Sequence, residues 1–331
     1  MITTAIRNTV SRTLKASPLK IGSHKVRPPI TLPDFASKGT IPIRHFDFKF
    51  DAKQLDVKFY LQKEWATAYF AALSIFLTFG EDLVIETARY HRDFIKDPVL
   101  KQRITSLIGQ EAIHSRLHDE YNDIMIPNNV PVRLYRFLAQ QVFDHTFLKF
   151  PQPLKLSMMA GIEHFTAVLA EYMMKNEDNF YHSDDEKARA LWMWHMLEES
   201  EHKDIAYDVY QVLSANYPLR IAGFFIAFIT LMLGVGAGAL MLPFFRRPAN
   251  ALSLSFWKDA TESWSLLFGP KRGVFGSSMA HIFDYLRTDF HPNDHDTTEY
   301  LEYYKKKLLS EGGVLHPFFV KEFTPKVQPA A

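Results

Sequence analysis

The chain has no cysteine, which excludes disulfide scaffolds, thiolate zinc sites and cysteine nucleophiles together and is compatible with a reducing compartment. It has almost no net charge: 38 Lys and Arg stand against 37 Asp and Glu, for +1. No global field favours nucleic acid, and no nucleic-acid partner is expected. No internal repeat, glycine-rich phosphate loop or nucleophile elbow occurs. The early basic residues are not followed by a continuous apolar run, which predicts no cleaved signal peptide. What is present is 331 residues, 47% hydrophobic and 14% aromatic, enough to bury a large core. Any metal must be held by nitrogen and oxygen.

The stretch WMWHMLEESEHKDIAYD, from Trp192 to Asp208, organises the rest. His195, Glu199 and His202 stand at i, i+4 and i+7, on one stripe of a helix. A single Glu-x-x-His is weak, because a helical Glu/His pair is usually a solvated edge. A second copy, Glu111 and His114 in IGQEAIHSRLH, strengthens it, as do Glu81 and Glu163 in apolar helical surroundings. A buried bare carboxylate is costly, so Glu81 must be paired, protonated or metal-bound. Arg89 is the alternative partner. His118, at i+7 from Glu111, faces the same way and is expected to hydrogen-bond a ligand. His164 should point elsewhere, and Glu171 is expected to be exposed.

Two Glu-x-x-His helices plus one Glu from each of two others form the ligand set of ferritin-like di-metal carboxylate proteins. The spacings of 30, 52 and 36 residues between Glu81, Glu111, Glu163 and Glu199 fit helix pairs flanking one longer crossover. The fold class is therefore all-α: a ferritin-like helical bundle with a di-metal core. Asp97-Pro98 starts the second helix, and His182-Ser183-Asp184-Asp185 ends one pattern and caps the next.

Residues 1–50 read as a basic strap, with Arg7, Arg12, Lys15, Lys20, Lys25, Arg27, Lys38, Arg44 and Lys49 against Asp34 and Asp47. It either lies over the domain or touches anionic headgroups. The bundle follows at 51–217. Residues 218–247 contain Ile221 to Phe245, free of charge and bracketed by Arg220 and Arg246-Arg247, which is long enough to cross a bilayer. A core helix, a single span and a hairpin bent at Gly234-Val235-Gly236-Ala237-Gly238 compete. Membrane association is favoured, at the cytoplasmic face of the cell membrane. Residues 248–331 form a helical extension, where Asp296 and Glu299 read as a capping box in preference to a metal cluster of His291, Asp294, His295 and Asp296.

The runs IGQEAIHSRLHDEYN, WHMLEESEHKDIAYDVY and FHPNDHD resemble the bacterial family called predicted metal-dependent hydrolases, placed in the ferritin-like superfamily. The similarity covers about residues 40 to 310. His195 four residues before Glu199-x-x-His202 is similar to the spacing in p-aminobenzoate N-oxygenase and its relatives, where an additional histidine joins a di-iron site. The implied ligands are Glu81, Glu111, His114, Glu163, His195, Glu199 and His202, with His195 joining His202 on the second metal. Two iron ions are expected, manganese being the alternative, with O2 as co-substrate. The reading is a di-iron oxidase or oxygenase acting on a hydrophobic, membrane-derived substrate, with two-metal hydrolysis or a non-catalytic metal-binding bundle as alternatives. Membrane lipids, an electron donor and a second copy of the chain are the expected partners.

Overall fold

The computed structural model describes residues 34–55, 58–181, 183, 185–270 and 273–327, and the structural statements below concern these. The strap readings for residues 1–33 and the roles given to His182 and Asp184 lie outside them. From residue 34 onward the chain packs as one compact unit, built mainly of helices. The principal helices are α1 (Glu64–Arg92), α2 (Pro98–Asp123), α3 (Val132–His145), α4 (Gln152–Lys175), α5 (Glu186–His202), α6 (Ile205–Leu213), α7 (Tyr217–Arg246), α8 (Leu254–Phe268), α9 (Met279–Asp284) and α10 (Thr298–Leu309).

Helix α1 is the axis of the bundle. Its apolar run passes a length and hydropathy test for a membrane span, yet 94% of that window is buried by protein, so it is a core helix. It packs along α2 and α7. Asp97 starts α2 as expected, its carboxylate accepting from the Val99 and Leu100 amides at 2.9 and 2.8 Å. The long connection from α2 to α4 carries α3. Asp185 caps α5, accepting from Lys187 and Ala188. Two strands, not anticipated, close the unit: β1 (Ile43–Phe46) pairs antiparallel with β2 (Phe319–Phe323), with Arg44 opposite Glu322. The adjoining residues run over α2, whose Ser106 and Gln110 side chains donate to the carbonyls of Ile41 and Pro42 at 2.8 and 3.0 Å.

Of the three competing readings of this segment, the hairpin bent at residues 234–238 does not form, because α7 is one continuous helix of 30 residues. Its glycines serve packing. A Cβ on Gly223 would lie 2.6 Å from the Ser157 carbonyl carbon, and one on Gly238 would lie 2.5 Å from the Tyr135 ring. Nothing lies within 4 Å of the corresponding position on Gly236. Gly223→Ala is therefore expected to cost about 1–3 kcal/mol by forcing α7 off α4, whereas Gly236→Ala should gain up to ~1 kcal/mol of helix propensity. Chemical denaturation of the two variants checks this; equal destabilisation by both would contradict a continuous packed helix.

Two further expectations change. Arg220, read as a basic flank of the apolar segment, is buried: it donates to Tyr207 and the Arg287 carbonyl and lies over the Tyr207, Tyr217 and Tyr285 rings. Asp296 does accept from the Thr298 amide at 2.9 Å, but the reciprocal box forms one turn earlier, between His291 and Asp294.

Candidate metal centre

Four helices converge on one buried cluster: Glu81 from α1, Glu111 and His114 from α2, Glu163 from α4, and His195, Glu199 and His202 from α5. The i, i+3 and i, i+4 spacings on α2 and α5 turn these side chains inward together. Glu199 is the hub. Its Oε1 lies 3.0 Å from His195 Nε2, 3.5 Å from His114 Nδ1 and 3.9 Å from His202 Nε2. Glu111 Oε1 stands between the other two imidazoles, 3.2 Å from His202 Nε2 and 3.7 Å from His114 Nδ1. Glu163 meets His202 Nδ1 at 2.7 Å.

The donor atoms fall into two groups, each close enough to share an ion: Glu111, His114, Glu199 and His202, and Glu81, His114 and His195. His195 thus joins the Glu81–His114 side, correcting its expected place beside His202. Sharing a helix with His202 set the expectation, but two turns of α5 carry His195 to the neighbouring end of the cluster; its ring centroid is 4.4 Å from that of His114.

Many polar atoms here are buried without a hydrogen-bond partner: both Glu81 oxygens, Glu111 Oε1, Glu199 Oε2, His114 Nδ1, His195 Nε2 and His202 Nε2. Such orphans are costly to bury, and Arg89, exposed on α1, leaves Glu81 unpaired. Oxygen and imidazole nitrogen at this density fit divalent transition-metal ions. Four carboxylates would also balance the charge of two such ions.

The electrostatics of the metal-free cluster follow from burial and crowding. Burial, then repulsion from Glu111, holds the Glu81 carboxyl well above the usual range. Burial likewise lifts Glu163 to about 8 even against its contact with His202. Burial opposes charge on His202, but Glu163 and Glu199 outweigh it and raise it to about 10. Glu199 goes the other way: burial opposes its charge, yet the surrounding imidazoles, His202 first, hold it well below the ordinary carboxylate range. Burial, then His195, lowers His118 far enough to keep it neutral.

Around the cluster, hydrogen bonds fix the imidazoles. Ser74 Oγ donates to Asn122 Oδ1 at 2.8 Å, so it accepts from His118 Nδ1 at 2.7 Å. Neutral His118 then presents a bare Nε2 that accepts from His195 Nδ1 at 2.9 Å. His195 is left in the tautomer whose Nε2 lone pair faces Glu199. His114 Nε2 meets Glu198 at 3.0 Å, and Glu198 meets Arg44 at 3.3 Å. Arg44 also forks onto Glu201 at 2.6 and 2.9 Å. Sequence reasoning missed this support: from the run Leu197-Glu198-Glu199-Ser200-Glu201-His202 it took only Glu199 and His202 and assigned nothing to Glu198 or Glu201.

Of the remaining candidates, His164 points away from the cluster and meets the Ile282 carbonyl at 3.0 Å. Glu171 is buried, contrary to its expected exposure, because Lys175, His281 and His295 surround it. His291 meets Asp208 at 3.0 Å and His295 meets Asp284 at 2.9 Å.

No curated protein and no solved structure matches the chain. Residues 42–296 match the model of a family described as predicted metal-dependent hydrolase, a span that contains all seven residues of the buried cluster. The chain therefore belongs to the predicted metal-dependent hydrolase family.

Proposed function

We propose that the chain is a di-iron enzyme that activates O2 against an apolar or amphipathic substrate drawn from a membrane. The observation that carries this reading is the buried set of unpartnered carboxylate oxygens and ring nitrogens contributed by four helices. One Glu from each of two helices and a Glu-x-x-His from each of two others support a ferritin-like arrangement. Glu111 and Glu199, each facing imidazoles from both groups, would hold both ions. Glu81, His114 and His195 would hold one, and Glu163 with His202 the other. An iron pair supplies O2 reduction coupled to substrate oxidation, with electrons from a separate donor. Manganese fits the same donors. The protein keeps the ligand lone pairs oriented, through His118 for His195 and Glu198 for His114, and excludes bulk water.

Two-metal hydrolysis is the second reading, favoured by the family's description; the same pair would then lower the pKa of a bound water. Anaerobic ferrous loading followed by counted O2 uptake separates the two. Oxygen-dependent uptake with a transient visible band is expected. Cleavage of esters or phosphoesters without any oxygen-dependent spectral change would establish hydrolysis instead, and loading far beyond two ions without turnover would indicate storage.

The membrane part of the proposal rests on α7. One side packs on α1 and α4, while Phe225, Ile229, Leu233 and Leu240 form an exposed row, Leu233 being 68% exposed. Tyr135 on the adjacent α3 donates to the Gly234 carbonyl at 2.7 Å, and α3 exposes Phe137, Leu138 and Val142. A continuous apolar face of this kind suits a helix lying in the interfacial plane. The protein is expected to stay in the cytoplasmic-membrane fraction through carbonate and high-salt washes; release by either wash would assign this face to another role.

A further inference from the structure

A narrow apolar cleft links α7 to the metal cluster. His195 forms its inner end, Leu73, Leu77 and Phe165 its buried walls, and the half-exposed Phe228, Met232 and Met279 its outer edge. A second cavity abuts Gly80, the residue before Glu81, and shares Leu77, Phe165, Thr166 and Leu231 with the first. The first leads from the edge of the exposed α7 face to His195, and the second reaches the backbone beside Glu81.

The chemistry of the walls selects the occupant. Among the described residues no Lys, Arg, Asp or Glu lines either cavity, so nothing there neutralises a phosphate or carboxylate, and burying such a charge unpaired is prohibitive. Polar groups are confined to Thr166, Thr230, Tyr69, Ser278 and His195 itself. Thr166 is already engaged with carbonyls of its own helix at 3.2 and 3.4 Å.

We infer that these cavities bind the hydrocarbon chain of an amphipathic molecule, with its polar head left outside the uncharged walls and a chain carbon beside His195. This deepens the enzymatic reading by naming its substrate class, but binding of the chain does not itself depend on which reaction follows.

The test uses the metal-loaded protein, with fluorescent cis-parinaric acid as the probe and octanol, dodecanol and hexadecanol as competitors. Competition is expected to strengthen by about fourfold per methylene until the cavities are filled. Thr166→Phe, which places a ring where the cavities meet, should weaken probe binding at least about tenfold, while Leu233→Ser on the exposed α7 row should leave it unchanged. Metal content and circular dichroism confirm that Thr166→Phe is folded; should it fail to fold, Met279→Trp blocks the mouth instead. Undiminished binding in a folded blocking variant, or affinity independent of chain length, would overturn the inference. Loss of chain binding in Thr166→Phe with ferrous oxidation intact supports both readings. A wild-type protein that consumes O2 but binds no chain refutes this one alone, and one that binds chains but neither consumes O2 nor hydrolyses esters refutes the enzymatic reading alone. Loading the probe from phosphatidylcholine vesicles or from solution separates a bilayer lipid from a free chain as the source.

Discussion

Glu111→Ala and Glu199→Ala are each expected to cost the protein both metals and all turnover, whereas His195→Ala should keep one metal and the fold. The difference follows from position. Glu199 Oε1 lies within 3.9 Å of nitrogens from all three imidazoles, and Glu111 Oε1 within 3.7 Å of His114 and His202. Neither ion could keep its full set of oxygens without them, and an ion with fewer ligands gives up affinity steeply. Beyond its 3.0 Å approach to the shared Glu199, His195 joins only the group of Glu81 and His114, so its loss leaves Glu163, Glu199 and His202 in place for the other ion. Removing a ligand also relieves crowding: without Glu111, one of the charges that raises both Glu81 and Glu163 is gone, so these variants should fold. Metal counts by elemental analysis, with circular dichroism as the folding control, check all three. A Glu111→Ala protein that retains two ions would remove the bridging role, and a His195→Ala protein with two ions and unchanged spectra would take that imidazole out of the coordination sphere.

The ligand set was legible because metal-binding side chains on helices leave a periodic trace. Glu81, Glu111, Glu163 and Glu199 interrupt apolar runs where a bare carboxylate is costly, and the histidines fall at i+3 or i−4 from them. The helix boundaries followed from Asp97-Pro98 and Asp185, whose side chains cap locally. What sequence could not give was set by contacts between distant segments. Arg44 sits in a stretch whose charge read only as basic, yet pairing of β1 with β2 delivers its guanidinium to Glu198 and Glu201, more than 150 residues away. Glu171 is buried by His281 and His295, which arrive from the far end of the chain. The glycines of α7 look alike in sequence. Only the neighbouring helices distinguish Gly223, pressed on Ser157, from Gly236, facing open space.

Stripping the metals with a chelator is expected to produce a protein whose stability falls as pH rises above neutrality, while the loaded protein does not share that loss. Groups whose pKa is raised by folding bind protons more tightly in the folded state, so they stabilise it below their unfolded value and lose that contribution as pH climbs through the folded one. For Glu163 the contribution is complete below 4.5 and lost by about 8. For His202 it is complete below 6.5 and lost by about 10. Glu81 and His114 are raised as well and act in the same sense. Within the cluster, the groups shifted downward do not oppose this above neutrality: Glu199, His118 and His195 contribute stability above their unfolded values, and that contribution is already complete there. Glu163 and His202 touch each other at 2.7 Å, so their two shifts are one shared contribution, and each pKa unit of it corresponds to about 1.4 kcal/mol. Bound cations replace the protons. They hold the carboxylates and imidazoles deprotonated, so loading releases protons and binding tightens as pH rises. The gap between the melting temperatures of loaded and stripped protein should therefore widen steadily from neutral to alkaline pH. A stripped protein whose melting temperature stays flat or rises over that range would mean that the cluster's protons are not bound more tightly in the folded chain, and that the orphaned oxygens and nitrogens are relieved by something other than a pair of metal ions.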